Sequence, residues 1–100
     1  MTRTDDAFKR ICQITAGQRT LLASASEKIH SLAKRTGNPA LVHLSQALHE
    51  QKHVAYWAYA RLQAQTAAEA EYAAAEGQYH AQNRNRELAA GRSAEARRLG

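Results

Sequence analysis

His49 and His53 stand four residues apart, with Glu50 beside the first of them, in the stretch LHEQKHV at residues 48–54. On a helix this spacing sets two imidazoles one turn apart on one face, where they can ligate a divalent metal. The carboxylate between them is then placed to take a proton from a metal-bound water. A second pattern repeats: Glu27 with His30 and Glu50 with His53 are both Glu-x-x-His. In helical bundles such i,i+3 pairs from two helices, with further glutamates, build a dimetal carboxylate site.

Residues 49–53 resemble the zincin signature His-Glu-x-x-His over those five positions, and the resemblance stops there. The extended signature continues with a glycine and a third histidine, where this chain has Tyr56 and Tyr59. The other zincin pattern takes a downstream glutamate, but on a continuous helix Glu69 would lie roughly 24 Å from His53 at about 1.5 Å per residue. His43 falls about 9 Å before His49 and on a different side of the helix. The Glu-x-x-His pairs look like those of small encapsulated ferritins, short helical chains that complete a metal site between subunits. That resemblance implies a site shared between two copies through Glu27, Glu50 and His53, with His49 adjoining. Lys28 and Lys52 lie inside the motifs and oppose a cation there. The expectation is that no metal or other cofactor is held, with the shared metal site as the alternative and a zinc hydrolase behind it.

The elements that must position these groups are helices. The 100 residues contain five glycines and one proline, and alanine, glutamine, glutamate, arginine and leucine dominate the rest. Thr4, followed by Asp5 and Asp6, reads as an N-cap with two acids in the first turn. From there Phe8, Ile11, Thr15, Gln18, Leu22, Ala25, Ile29 and Leu32 follow a 3-4 spacing, a seam interrupted by Thr15 and Gln18. Lys34-Arg35 close this helix. Gly37 suits a left-handed C-cap, Asn38 an N-cap and Pro39 a first helical position. Leu41, Leu44, Leu48, Gln51, Ala55, Ala58 and Leu62 then repeat the seam.

The fold expected is all-α: an antiparallel hairpin over residues 1–82, with a helix at about 5–35, a turn at 36–39 and a long helix at about 39–82. Residues 83–100 are expected as a short helical or disordered basic segment, the bundle being completed by dimerisation or a third helix. In such a hairpin His49, Glu50 and His53 point away from the first helix, as do Glu27 and His30, so they do not converge within one chain.

Val54, Tyr56, Trp57 and Tyr59 surround the middle of the second helix, an apolar girdle wider than one seam needs. Covered, it is core; uncovered, its Tyr and Trp side chains are of the kind that dominate protein interfaces. The net charge of +5 is uneven: +4 over residues 1–38, −2 over 39–82 and +3 over 83–100. The positive ends favour acidic partners. Arg84, Arg86, Arg92, Arg97 and Arg98 could neutralise phosphates or an acidic groove, without sequence specificity.

The lone Cys12 excludes an intrachain disulfide. No apolar run is long enough to span a bilayer, and the N-terminus is too polar for a signal peptide. The reading is a small cytoplasmic, non-enzymatic interaction protein, an adaptor, regulator or inhibitor. It would bind a protein, or an acidic or nucleic-acid surface, through Tyr56, Trp57, Tyr59 and the basic segments, with a homodimer as an option.

Overall fold

A computed structural model describes residues 2–16 and 18–100. Its helices run α1 (Arg3–Ile14), α2 (Arg19–Thr36), α3 (Pro39–Gln63) and α4 (Ala67–Leu99), and no strand occurs among the described residues. The all-α class matches expectation, while the two-helix outline is replaced by four helices about 50 Å in greatest extent.

The helix expected over 5–35 is two helices, and it breaks where its seam is polar. Thr15 buries its hydroxyl by donating back to the Ile11 carbonyl at 2.8 Å, while Gln18 donates its backbone N–H to the Thr15 carbonyl at 2.9 Å. No large apolar side chain at either position holds a straight helix to the core. The cap also moves: Thr2, not Thr4, accepts from the Asp5 N–H at 3.2 Å, and Thr4 is buried. α1 therefore runs antiparallel to α2 and parallel to α3, bringing Thr4 toward Gly91 and His43.

The turn between α2 and α3 is as expected. Gly37 sits at φ 66, the Asn38 side chain accepts from the Ala40 N–H at 3.0 Å, and Pro39 begins α3. Across this turn Leu22, Leu44 and Leu48 form the core, with Phe8, Ile11, Cys12, Ile29 and Leu41 packed around them. Two buried serines lie between α2 and α3, and both are satisfied: the Ser26 hydroxyl donates to the Ser45 carbonyl at 2.9 Å and the Ser45 hydroxyl to the Val42 carbonyl at 2.7 Å.

The long helix expected over 39–82 stops at Gln63. Ala64 is extended, and Thr66 caps a new helix by accepting from the Glu69 N–H at 3.1 Å. Glu69 accepts from the Gln65 N–H at 3.0 Å, one residue before the cap, a variant of the Thr-x-x-Glu capping box. The alanine- and glutamate-rich stretch 66–76 holds this start signal. α4 then returns antiparallel along α3 and runs unbroken through Gly77 to Leu99, across the segment 83–100 expected to be short helical or disordered.

The packing line of α4 is Ala70, Ala73, Gly77, His80, Arg84, Glu87, Gly91 and Ala94, a 3-4 repeat of small and polar residues, each buried or half-buried. Opposite it α3 carries Ala40, His43, Ala47, Glu50, Val54 and Trp57 at the same spacing. Gly91 is required by proximity: an added Cβ would meet Thr4 Cγ2 at 2.9 Å and His43 Cβ at 3.3 Å. Asp5 of α1 accepts from Arg92 at 2.9 Å, tying α1 to α4. α3 is thus the central helix, touched by all three others, while the backbones of α2 and α4 do not approach each other. Among the described residues no helix is long and apolar enough to cross a membrane.

Candidate functional site

Two groups of side chains stand out along α3. The first is the histidine cluster that the Glu-x-x-His spacing drew attention to. Its outward face is covered by α4, which supplies a histidine the sequence reading did not use. His80 Nδ1 lies 2.6 Å from Glu50 Oε2. The His53 ring stacks on His80 with centroids 4.6 Å apart and planes 18° apart. His49 meets His53 edge-on at 4.9 Å, and Tyr79 meets His80 edge-on at 5.2 Å. Arg84, one turn along α4, donates to Gln51 at 2.8 Å, and two turns along His43 Nδ1 lies 2.8 Å from Glu87 Oε2.

These contacts account for the electrostatics. Burial pushes the His53 pKa below the ordinary imidazole value, and neighbouring His80, His49 and Lys52 push it the same way, against a smaller opposing pull from Glu50. Parallel stacking keeps the in-plane ring nitrogens of His53 and His80 in separate planes, so they do not converge on one ion. Among the described residues no group of three His, Cys, Asp or Glu side chains is arranged to hold a metal. Glu27, His30 and His49, expected to stay apart within one chain, instead share a shallow groove of about 450 Å³ between α2 and α3. Glu50 and His53 turn the other way, toward α4, which divides the set of ligands that a shared site would need.

The second group lies at the α3–α4 turn. α2 starts level with Tyr56, whose ring carries the Arg19 guanidinium at 5.0 Å. Past that level Tyr59 shares a pocket with Thr15, Ala16 and Gln18 of the α1–α2 turn, and the broken first helix does not continue along α3. Tyr59, Leu62 and Tyr72 are consequently 63%, 83% and 61% exposed. Leu62, placed on the seam by its spacing, is the most exposed of the large apolar residues. Trp57 is half-buried, its Cβ set against Gly77, with Tyr56 and Tyr72 edge-on to its ring at 5.1 and 5.6 Å. Tyr56, Trp57, Tyr59, Glu69 and Tyr72 line one groove of about 600 Å³. The girdle therefore divides: α4 covers Val54 and the inner side of Trp57, and the tyrosines stay outside. Tyr72 and Leu62 were not singled out with Tyr56, Trp57 and Tyr59; the Thr66-x-x-Glu69 capping signal could have found them, since it folds Tyr72 back beside Trp57.

The arginines also divide. Arg84 and Arg92 are engaged with Gln51 and Asp5, and Arg86 donates to Asn83 on its own helix at 2.8 Å. Arg97 and Arg98 are exposed in the last turn of α4, and Arg98 shares a pocket of about 440 Å³ with Arg3 and Glu95. The two basic termini fall at one end of the bundle, the Gly37 end, through the fold-back of α1 and α4. Comparison of this chain with protein-family models, with curated proteins and with solved structures gave no match.

Proposed function

We propose that this chain is a small non-enzymatic binding protein that engages a protein partner with the aromatic end of its α3–α4 hairpin. One observation carries the reading: Tyr59 and Tyr72 are more than half exposed on a groove that Trp57 also lines, and Leu62, exposed as well, stands at the same end of α3. Contiguous exposed apolar surface on a small chain marks an interaction site, and Tyr and Trp are the side chains that carry binding energy in such sites. The basic end, with Arg3, Arg97 and Arg98, is a second surface suited to an acidic neighbour. A non-enzymatic role also agrees with the state of Cys12, whose pKa burial pushes up, against a smaller opposing effect of Arg84; the protonated thiol is a poor nucleophile.

The test is site-specific photo-cross-linking in the native host, with benzoylphenylalanine in place of Tyr59, of Lys28 or of Arg97. A discrete cross-linked partner at Tyr59, absent at the exposed Lys28 and lost in Leu62→Ser with helicity unchanged, is the expected result. Equal yields at Tyr59 and Lys28, or cross-links confined to Arg97, would overturn the assignment of the aromatic end.

A further inference from the structure

We infer that the aromatic groove accepts a cationic side chain, an arginine or lysine presented by the partner protein, held against Trp57 and Tyr72 and facing Glu69. The inference rests on the aromatic end being the binding surface and adds the chemistry of its occupant.

Three independent features point to a cation. First, the chain already places one on this belt: Arg19 lies over the Tyr56 ring at 5.0 Å, the geometry in which a guanidinium is attracted by the ring quadrupole. Second, the groove offers the walls a cation needs. Trp57 from α3 and Tyr72 from α4 stand 83° apart in plane with centroids 5.6 Å apart, forming a corner, and Tyr59 lines the same groove. Rings at right angles around one space are how cages for ammonium and guanidinium groups are made. Third, Glu69 is the one charged residue among those lining the groove, in a chain whose net charge is +5. Glu69 is in the groove itself, and its Oε2 accepts from the Gln65 N–H, which fixes the carboxylate before any ligand arrives. Preorganisation of this kind lowers the ordering cost of binding.

A second copy of the chain is the rival occupant, since it could offer either its own aromatic end or its basic end. The Glu69 carboxylate in the groove favours a cation over the aromatic end of a second copy, which carries the same carboxylate, and Arg19 on Tyr56 shows that this belt holds a guanidinium.

Trp57 is the single tryptophan, so its fluorescence reports on this groove and not on the basic end. The probes are three nine-residue peptides on one leucine–alanine framework carrying three arginines, three citrullines or three glutamates. Citrulline keeps the shape of arginine without its charge. The expected result at low salt is that the arginine peptide shifts Trp57 emission with an affinity at least about fivefold above the citrulline peptide, and that the glutamate peptide gives no shift. Tyr72→Leu and Glu69→Gln should each erase most of that preference while the far-ultraviolet circular dichroism stays as in the parent. Equal affinity of the arginine and citrulline peptides would overturn the cationic occupant and leave the aromatic end as an apolar binding surface. No response to any peptide would also overturn it, as would Trp57 emission that follows protein concentration alone with a doubling of mass by light scattering. Cross-linking at Tyr59 is a separate readout, so a failure of the peptide result is distinguishable from a failure of the aromatic-end reading.

Discussion

The two faces of α3 are held by different chemistry. Toward α1 and α2 it presents Leu41, Leu44 and Leu48, which close on Leu22 with Phe8 and Ile11 alongside. Toward α4 it presents Ala40, His43, Ala47, Glu50, Val54 and Trp57, met by alanines, glycines and the His80, Arg84 and Glu87 side chains. Burial of a large apolar side chain is worth roughly 1.5–3 kcal/mol, whereas a hydrogen-bonded pair nets about 1 kcal/mol. The leucine face therefore supplies most of the stability. The polar face supplies register: His43 with Glu87, Glu50 with His80 and Gln51 with Arg84 meet at only one alignment of α4 on α3.

The largest test of that division is Leu48→Ala. Leu48 is fully buried, and its truncation should cost about 2–5 kcal/mol by urea denaturation. A loss under 1 kcal/mol would mean that the leucine face is not the main source of stability. Next comes Gly91→Ala on the other face. The substitution should gain about 1 kcal/mol of helix propensity, but the new Cβ falls 2.9 Å from Thr4 Cγ2. Net destabilisation of about 1–2 kcal/mol is expected, the range for overpacking a close contact. Adding Thr4→Ser removes the clashing methyl and should restore most of the loss, so simple additivity of the two substitutions would refute the close-approach argument.

A smaller effect is pH-dependent. The folded-state pKa of His53 lies below its ordinary value near 6.5. The unfolded chain therefore takes up that proton first as the pH falls, and the contribution of neutral His53 is lost from about pH 6.5 downward, through the depressed folded value. The urea midpoint should drop between pH 7.5 and 5.5, and His53→Gln should flatten that drop. An unchanged slope in the variant would remove His53 from the account. The smallest change is expected for Arg92→Gln, which breaks the ion pair with Asp5. Arg92 is 46% exposed, and such surface pairs are worth under about 1 kcal/mol.

The same contrast explains which parts of the fold were legible in the sequence. The leucine seam reads directly, since large apolar residues at 3-4 spacing have one use in a helical chain, and Gly37-Asn38-Pro39 marks its turn by backbone chemistry alone. The α4 seam has the same spacing but is written in Ala, Gly, His, Arg and Glu, residues that a search for hydrophobic periodicity passes over. Gly91 and Ala94 looked like parts of a polar tail because their role is to let helices approach, and their own hydropathy carries no sign of it. His80 was unremarkable for a related reason: its partners Glu50 and His53 lie about thirty residues away, beyond any local pattern. For the aromatic end, Tyr56, Trp57 and Tyr59 were visible as a group, while the part played by Leu62 and Tyr72 depended on where two helices broke.

The sequence alone determined the all-α class, the α2–α3 turn, the leucine core and the gathering of positive charge at the two termini, because each follows from residue type and local spacing. Only the tertiary structure decided that the first helix path ends at Thr15 and turns back. It alone decided that α4 covers Glu50 and His53 and leaves the tyrosines open. The physical reason is that both outcomes turn on which surfaces meet. Meeting is decided by close approach at small residues and by polar pairs between distant positions, neither of which leaves a periodic trace of hydrophobicity.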